Sequence, residues 1–350
     1  MVCPSCSCKL LLSVLLCMRG VANANEARQK IDPSAKMACN SSIIFSDDFA
    51  NINLTVWQND TRIGFNTLIT EDKPQRENIF VKNGTLHIQP VILWEDFRRD
   101  KILDPKRCTE NPIDDECRRG TKTFYLPSGQ RSHITTRQKF SLQYGLIEAQ
   151  VKFPAADWIA AEIQIVPADH IHGSAFQTGL VRIVLKKYRN VKSEDGRDLR
   201  RRILEGSVLV EHGTKVESKS VYFTDKSNWQ TEFHNLTILW TPDDVLFMVD
   251  GKQRQIVNLS GLNVTNFSDA AVPSAPGKKL WNTGGSITPF DQPFHVRLGS
   301  TVGDSKDYSR PSNNPRGIIT FWNNEEEWQQ TWRDDTAFVV KSMKISTANC

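Results

Sequence analysis

Four cysteines (Cys39, Cys108, Cys117 and Cys350) and eight N-x-S/T triplets carry the plainest chemistry in this 350-residue sequence. The triplets begin at Asn40, Asn53, Asn59, Asn83, Asn235, Asn258, Asn263 and Asn266. An even number of thiols in an oxidising compartment forms disulfides. Four cysteines allow three connectivities, of which Cys108–Cys117 with Cys39–Cys350 is the favoured one. Structural zinc is not expected, because no CxxC pair lies among these four. The triplets are N-glycan acceptors where they lie exposed in a secreted chain. Other groupings point to no metal and no cofactor. His170-x-His172 lacks an evident third ligand, and Asp47-Asp48 lacks a defined calcium set. Gly284-Gly285 has no strand-to-helix context for a phosphate loop, and no Ser-His-Asp ordering stands out.

The N-terminus accounts for the other four cysteines and sets the compartment. Lys9 precedes a short apolar run, Leu10 to Met18, and Ala22-Asn23-Ala24 is a small-x-small cleavage site. Nine residues at 1.5 Å each cross only about half of a ~30 Å hydrocarbon core, so the run reads as a signal peptide over 1–24 rather than an anchor. No later stretch is apolar enough to span a membrane. The expectation is therefore a secreted, extracellular, disulfide-bonded glycoprotein. With 44 basic against 40 acidic residues, the formal charge of +4 is too balanced for a nucleic-acid-binding protein.

The elements that must position any site read as strands. Segments from Gly84, Gly145, Asn235, Val245 and Phe338 alternate or run apolar between Gly, Asn, Asp and Pro breakers. Asp250-Gly251 supplies a hairpin turn. The one expected helix lies around Asn324–Trp332. Many short strands without a repeat or linker predict an all-β sandwich in one domain. Lys186–Arg202 holds eight basic and three acidic residues, ending in three arginines. It reads as a solvated loop, a patch for anionic polymers, or a protease-sensitive site.

Several motifs recur in one order: Cys108-Thr-Glu-Asn, Cys117-Arg-Arg, Tyr125-Leu-Pro, Phe140-Ser-Leu-Gln-Tyr-Gly and Ala156-Asp-Trp158. Phe233-His-Asn, Leu239-Trp-Thr-Pro-Asp243, Pro289-Phe-Asp-Gln292 and Phe321-Trp-Asn follow. Together they resemble the glycoside hydrolase family 16 domain of invertebrate β-1,3-glucanases. The resemblance is strongest to the arthropod β-1,3-glucan-recognition, or Gram-negative-bacteria-binding, proteins. It implies a concanavalin-like jelly roll of two packed antiparallel sheets over 45–350, with a sugar cleft on one face. Residues 25–44 are then a short leading segment, too short for the separate carbohydrate-binding module that many such proteins carry.

The resemblance does not extend to the chemistry. Retaining hydrolysis needs two carboxylates about 5–5.5 Å apart. The family supplies them as Glu-x-Asp-x-x-Glu after a glycine, whereas the corresponding stretch here is Gly179-Leu180-Val-Arg182-Ile-Val-Leu185. Leu180, Arg182 and Leu185 thus stand at the nucleophile, helper and acid/base positions. No Asp or Glu occurs between Asp169 and Glu194 to replace them. Two cleft tryptophans are exchanged for Ala160 and Gln164, and an asparagine for Gly299. Arg76, Asn78 and Trp158 do match the family, which implies retained sugar contacts by hydrogen bonding and stacking.

The expected function is non-catalytic recognition of microbial β-1,3-glucan or a related surface polysaccharide in innate immunity. The resemblance also implies serine proteases of an immune cascade as protein partners. One alternative is a protein-interaction scaffold of such a cascade that has lost sugar binding. A remoter one is a residual β-1,3-glucanase recruiting Glu162 or Asp169.

Overall fold

Burial alternates residue by residue along Gly145–Lys152, with Ile147, Ala149 and Val151 inward and Glu148, Gln150 and Lys152 outward. That two-residue period is what a strand requires when one face meets a core and the other meets water. The chain is seen here as a computed structural model. It describes residues 42–61, 78–98, 100–102, 109, 118–120, 126–130, 132–169, 179–187, 202–212, 215–223, 229–259, 262, 287–302, 325–332 and 336–347. Residues Ala38–Cys350 form one compact unit.

Two large antiparallel sheets dominate the described residues of the unit. The eight-stranded sheet runs in the order β17 (Gln253–Asn258), β16 (Asp244–Val249), β15 (His234–Trp240), β10 (Gly145–Lys152), β19 (Phe338–Ser346), β4 (Thr85–Ile88) and β3 (Ile79–Lys82). Its eighth strand, β1 (Ile43–Asp47), also pairs with β19. The seven-stranded sheet runs β14 (Lys215–Phe223), β13 (Arg202–His212), β12 (Leu180–Lys187), β11 (Ile159–Pro167), β18 (Phe294–Val302), β9 (Ser132–Thr135) and β2 (Gln58–Asn59). Two small ladders pair β5 (Val91–Arg98) with β8 (Leu126–Gln130), and β6 (Asp100–Ile102) with β7 (Arg118–Gly120). The concanavalin-like sandwich is thus observed. The Asp250-Gly251 turn closes the β16–β17 hairpin, both residues having positive φ, and one helical turn spans Glu325–Gln329 where a helix was expected.

The core lies between the sheets. Leu236, Ile238, Trp240, Val245, Phe247 and Val249 from one side meet Ile163, Ile165, Ile183, Leu204, Val296 and Leu298 from the other. Trp240 and Phe294 pack edge to face across the gap, ring centroids 4.9 Å apart. Gly206 on β13 is required because the Phe247 ring fills its side-chain space. A Cβ there would lie 2.6 Å from Phe247 Cγ. At one end, Ser132 Oγ on β9 donates to the carbonyl of Gln89, the residue that follows β4.

The two sheets differ on their outward faces. Outward side chains of β10 are half-buried, as on a solvated sheet. All nine residues of β11 and all nine of β18 are buried on both faces.

Candidate functional site

The outward face of the seven-stranded sheet is the candidate site, because it carries polar side chains that are buried yet point away from the core. Cross-strand register fixes which ones stand together. Gln164 on β11 faces Arg182 on one side and Arg297 on the other. Arg182 faces Ser207, and Arg297 faces Thr135. In the next row Glu162 faces Val184 and Gly299, Gly299 faces His133, and Val184 faces Glu205.

Two polar clusters follow. In the first, Arg297 (2% exposed) forms an ion pair through Nε with Asp60 Oδ2 and donates through Nη1 to Gln164 Oε1 at 2.9 Å. The other Asp60 oxygen accepts from Thr109 Oγ1 at 2.7 Å. In the second, the Glu162 carboxylate lies 3.6 Å from His133 Nε2 and 3.6 Å from Arg182 Nη1. Arg182 Nε also donates to Ser207 Oγ at 3.3 Å, while Glu205 accepts from Ser220 Oγ at 3.0 Å. A charge taken out of water is costly unless it is paired, and here each carboxylate has a cation or hydroxyl partner.

The three positions that the resemblance sets against the family's catalytic motif do not share a face. Leu180 and Arg182 point outward with Val184, whereas Leu185 belongs to the core cluster. The ladders that β12 makes with β11 and β13 run without a register shift, so residues three apart must lie on opposite faces. Carboxylates at 180, 182 and 185 could converge only if a bulge re-aimed the last of them.

The expected sugar contacts are dispersed. Arg76 lies outside the described residues. Asn78 is buried immediately before β3 of the other sheet, and its carbonyl accepts from Gln89 N at 2.8 Å. Trp158 (7% exposed, φ +62°) sits on the turn entering β11, outside the main core cluster. That turn is held by Asp157 N donating to Thr331 Oγ1 and by Trp332 Nε1 donating to the Asp157 carbonyl, both at 2.9 Å. Ala160 and Gln164, where tryptophans were missed in the sequence, are themselves fully covered. Gly299 has a structural reason: a Cβ would lie 1.8 Å from His133 Cδ2, so the imidazole occupies the space an asparagine would need.

Asp60, His133, Glu205 and Arg297 were not anticipated as site residues. Arg297 sits in Val296-Arg-Leu298, an alternation that reads as a solvent-facing position. Of the glycan acceptors, Asn53, Asn83, Asn235 and Asn258 are exposed and Asn59 is half-buried. Asn258 Nδ2 donates to Asp244 Oδ1 at 2.8 Å. Asn40, Asn263, Asn266, the four cysteines, His170, His172 and most of Lys186–Arg202 lie outside the described residues. Among the described residues, no helix is long and apolar enough to cross a membrane.

Comparison with known proteins agrees with this architecture. Residues 211–292 match the model of glycosyl hydrolases family 16. Over 277 residues the chain is 29% identical to β-1,3-glucan-binding protein 1 of Galleria mellonella, covering 75% of this chain and 54% of that one. Over 324 residues it is 26% identical to Gram-negative bacteria-binding protein 1 of Drosophila melanogaster, covering 84% and 62%. The chain therefore spans between half and two thirds of these relatives' length. The catalytic domain of an endo-1,3-β-glucanase from Thermotoga petrophila superposes with a TM-score of 0.54 at 15% identity, covering 89% of this chain and all of that one. That likeness is one of fold. The family 16 stretch and these matches together make the chain similar to the insect β-1,3-glucan-binding and Gram-negative bacteria-binding proteins.

Proposed function

We propose that the chain is a secreted, non-catalytic pattern-recognition protein that binds microbial β-1,3-glucan or a related surface polysaccharide in innate immunity. The names of its homologues support the ligand class. The observation that carries the absence of catalysis is the outward face of β12, which offers Leu180, Arg182 and Val184. None of these forms a glycosyl ester or moves a proton, and both tasks act on one transition state. Glu162, the nearest carboxylate on the neighbouring strand, is held between His133 and Arg182. Serine proteases of an immune cascade belong to the proposal as protein partners.

A scaffold without sugar binding is the second reading. It is favoured by the burial of His133, Glu162, Gln164 and Arg297, which withholds them from a ligand. One experiment separates the readings. Secreted protein is incubated with insoluble β-1,3-glucan, then the pellet is assayed for protein and the supernatant for reducing ends. Pelleting without sugar release is the expected outcome. Release abolished by Glu162→Gln would restore the hydrolase reading, and neither signal would leave the scaffold. Arg76→Ala and Asn78→Ala then test the implied sugar contacts. Trp158→Ala needs a stability control, because that ring is buried.

A further inference from the structure

The outward face of the eight-stranded sheet carries a row of side chains that the glucan reading does not use. Lys152 on β10 faces Val339 on β19, Val339 faces His87 on β4, and His87 faces Phe80 on β3. Val151 faces His234, so Phe233 occupies the next position, opposite Lys152. The row spans four strand spacings, about 19 Å at ~4.8 Å each, with an aromatic ring at each end. Phe80 is stacked on His87 at 5.2 Å. Phe233 is 37% exposed, and the ammonium groups of Lys152 and Lys341 each lie 5.8 Å from its ring centroid.

Lys341 arrives there through a local irregularity. β10 pairs Gln150 with Ser342 and Val151 with Val340, which leaves Lys341 as the extra residue of a bulge. A bulge bends its strand and re-aims a side chain, and this one turns an ammonium over the ring. Lys82, two residues beyond Phe80 on β3, shares the same face. Among the described residues, Lys82, Lys152 and Lys341 form no ion pair, whereas Lys344 further along the face is neutralised by Glu148. The imidazole of His87 is held below its ordinary pKa, first by burial and then by the charges of Lys82 and Lys152. The nearby Asp250 carboxylate is engaged by His234 Nδ1 and the Asn235 amide.

We infer that this row is a second binding site, for an anionic polysaccharide. A sugar ring stacks on Phe233, and carboxylate or phosphate substituents meet Lys152, Lys341 and Lys82. Unpaired ammonium groups gathered on one face attract a polyanion. One exposed ring gives too little apolar area for the core of a stable protein interface, but it is the size that a single sugar covers. The site lies on the opposite side of the sandwich from the buried polar face, so it goes beyond the glucan reading and stands or falls separately.

Binding of the full secreted protein, with its glycans, is measured for polygalacturonate, for its fully methyl-esterified form and for double-stranded DNA. The charged polymer is expected to bind and the ester, with the same backbone but no charge, is not. Lys152→Gln with Lys341→Gln is expected to weaken binding about tenfold or more and to flatten its salt dependence by about one unit of slope per lysine. Phe233→Ala is expected to weaken it about tenfold with the slope unchanged. All three positions lie at the surface, so thermal unfolding serves as the folding control. No binding of polygalacturonate, or equal binding of DNA, would overturn the site. So would full affinity in Phe233→Ala. Pelleting with insoluble β-1,3-glucan is expected to be untouched in these variants, which separates this inference from the glucan reading.

Discussion

At Arg297 the cost of burying charge is set by its partners. Its guanidinium is 2% exposed and is held by Asp60 and Gln164. Arg297→Met keeps the volume but leaves Asp60 buried without its cation. The expected loss is about 3–5 kcal/mol in chemical denaturation. Asp60→Leu with Arg297→Met should lose much less, since removing both charges also removes the desolvation they incur. His87 gives a pH-dependent counterpart. Its folded pKa lies below the reference 6.5, so the folded chain resists a proton that the unfolded chain accepts. The stability it contributes is complete above about pH 6.5 and falls as the pH drops below that value. His87→Gln should flatten this acid limb, read as denaturation midpoints between pH 7 and 5.

The regularity of β12 decides what its residues can do. An unbulged strand sends Leu180 and Arg182 outward and Leu185 inward, so introducing a Glu-x-Asp-x-x-Glu pattern by substitution should not confer hydrolysis. Leu180→Glu with Arg182→Asp and Leu185→Glu should release no reducing ends, and Leu185→Glu alone should lower stability by several kcal/mol through an unpaired buried carboxylate. β19 makes the contrasting case, because a single bulge there frees Lys341 from the alternation. Where the two sheets meet, Gly206→Ala would drive a methyl into the Phe247 ring at a cost of about 1–3 kcal/mol. Phe247→Leu in the same chain should recover part of it, measured by thermal unfolding.

In the whole molecule, one sandwich presents two faces of different character. One bears buried ion pairs where the resemblance implied a sugar cleft, and the other bears, among the described residues, lysines without ion pairs about an exposed ring. Variants of the two faces should act independently, so glucan pelleting and polyanion binding should each respond to one set only. The sequence by itself determined the sandwich, because strand alternation and turn residues are local and survive in any context. The Asp250-Gly251 hairpin, the short helix before Trp332 and the inward runs of β10 and β15 were all legible this way. That no Asp or Glu lies between Asp169 and Glu194 was equally legible. The tertiary structure alone decided the site's interior. Val296-Arg297-Leu298 reads as a solvent-facing alternation, and only the covering of that face and the approach of Asp60 make it a buried ion pair. Gly299 looks like the loss of an asparagine until His133, 166 positions earlier in the sequence, is seen to fill its space. Leu185 looks like a cleft residue until the register of β12 turns it inward. Local patterns follow from backbone periodicity, but pairing between strands distant in sequence is set by the packing of the whole chain.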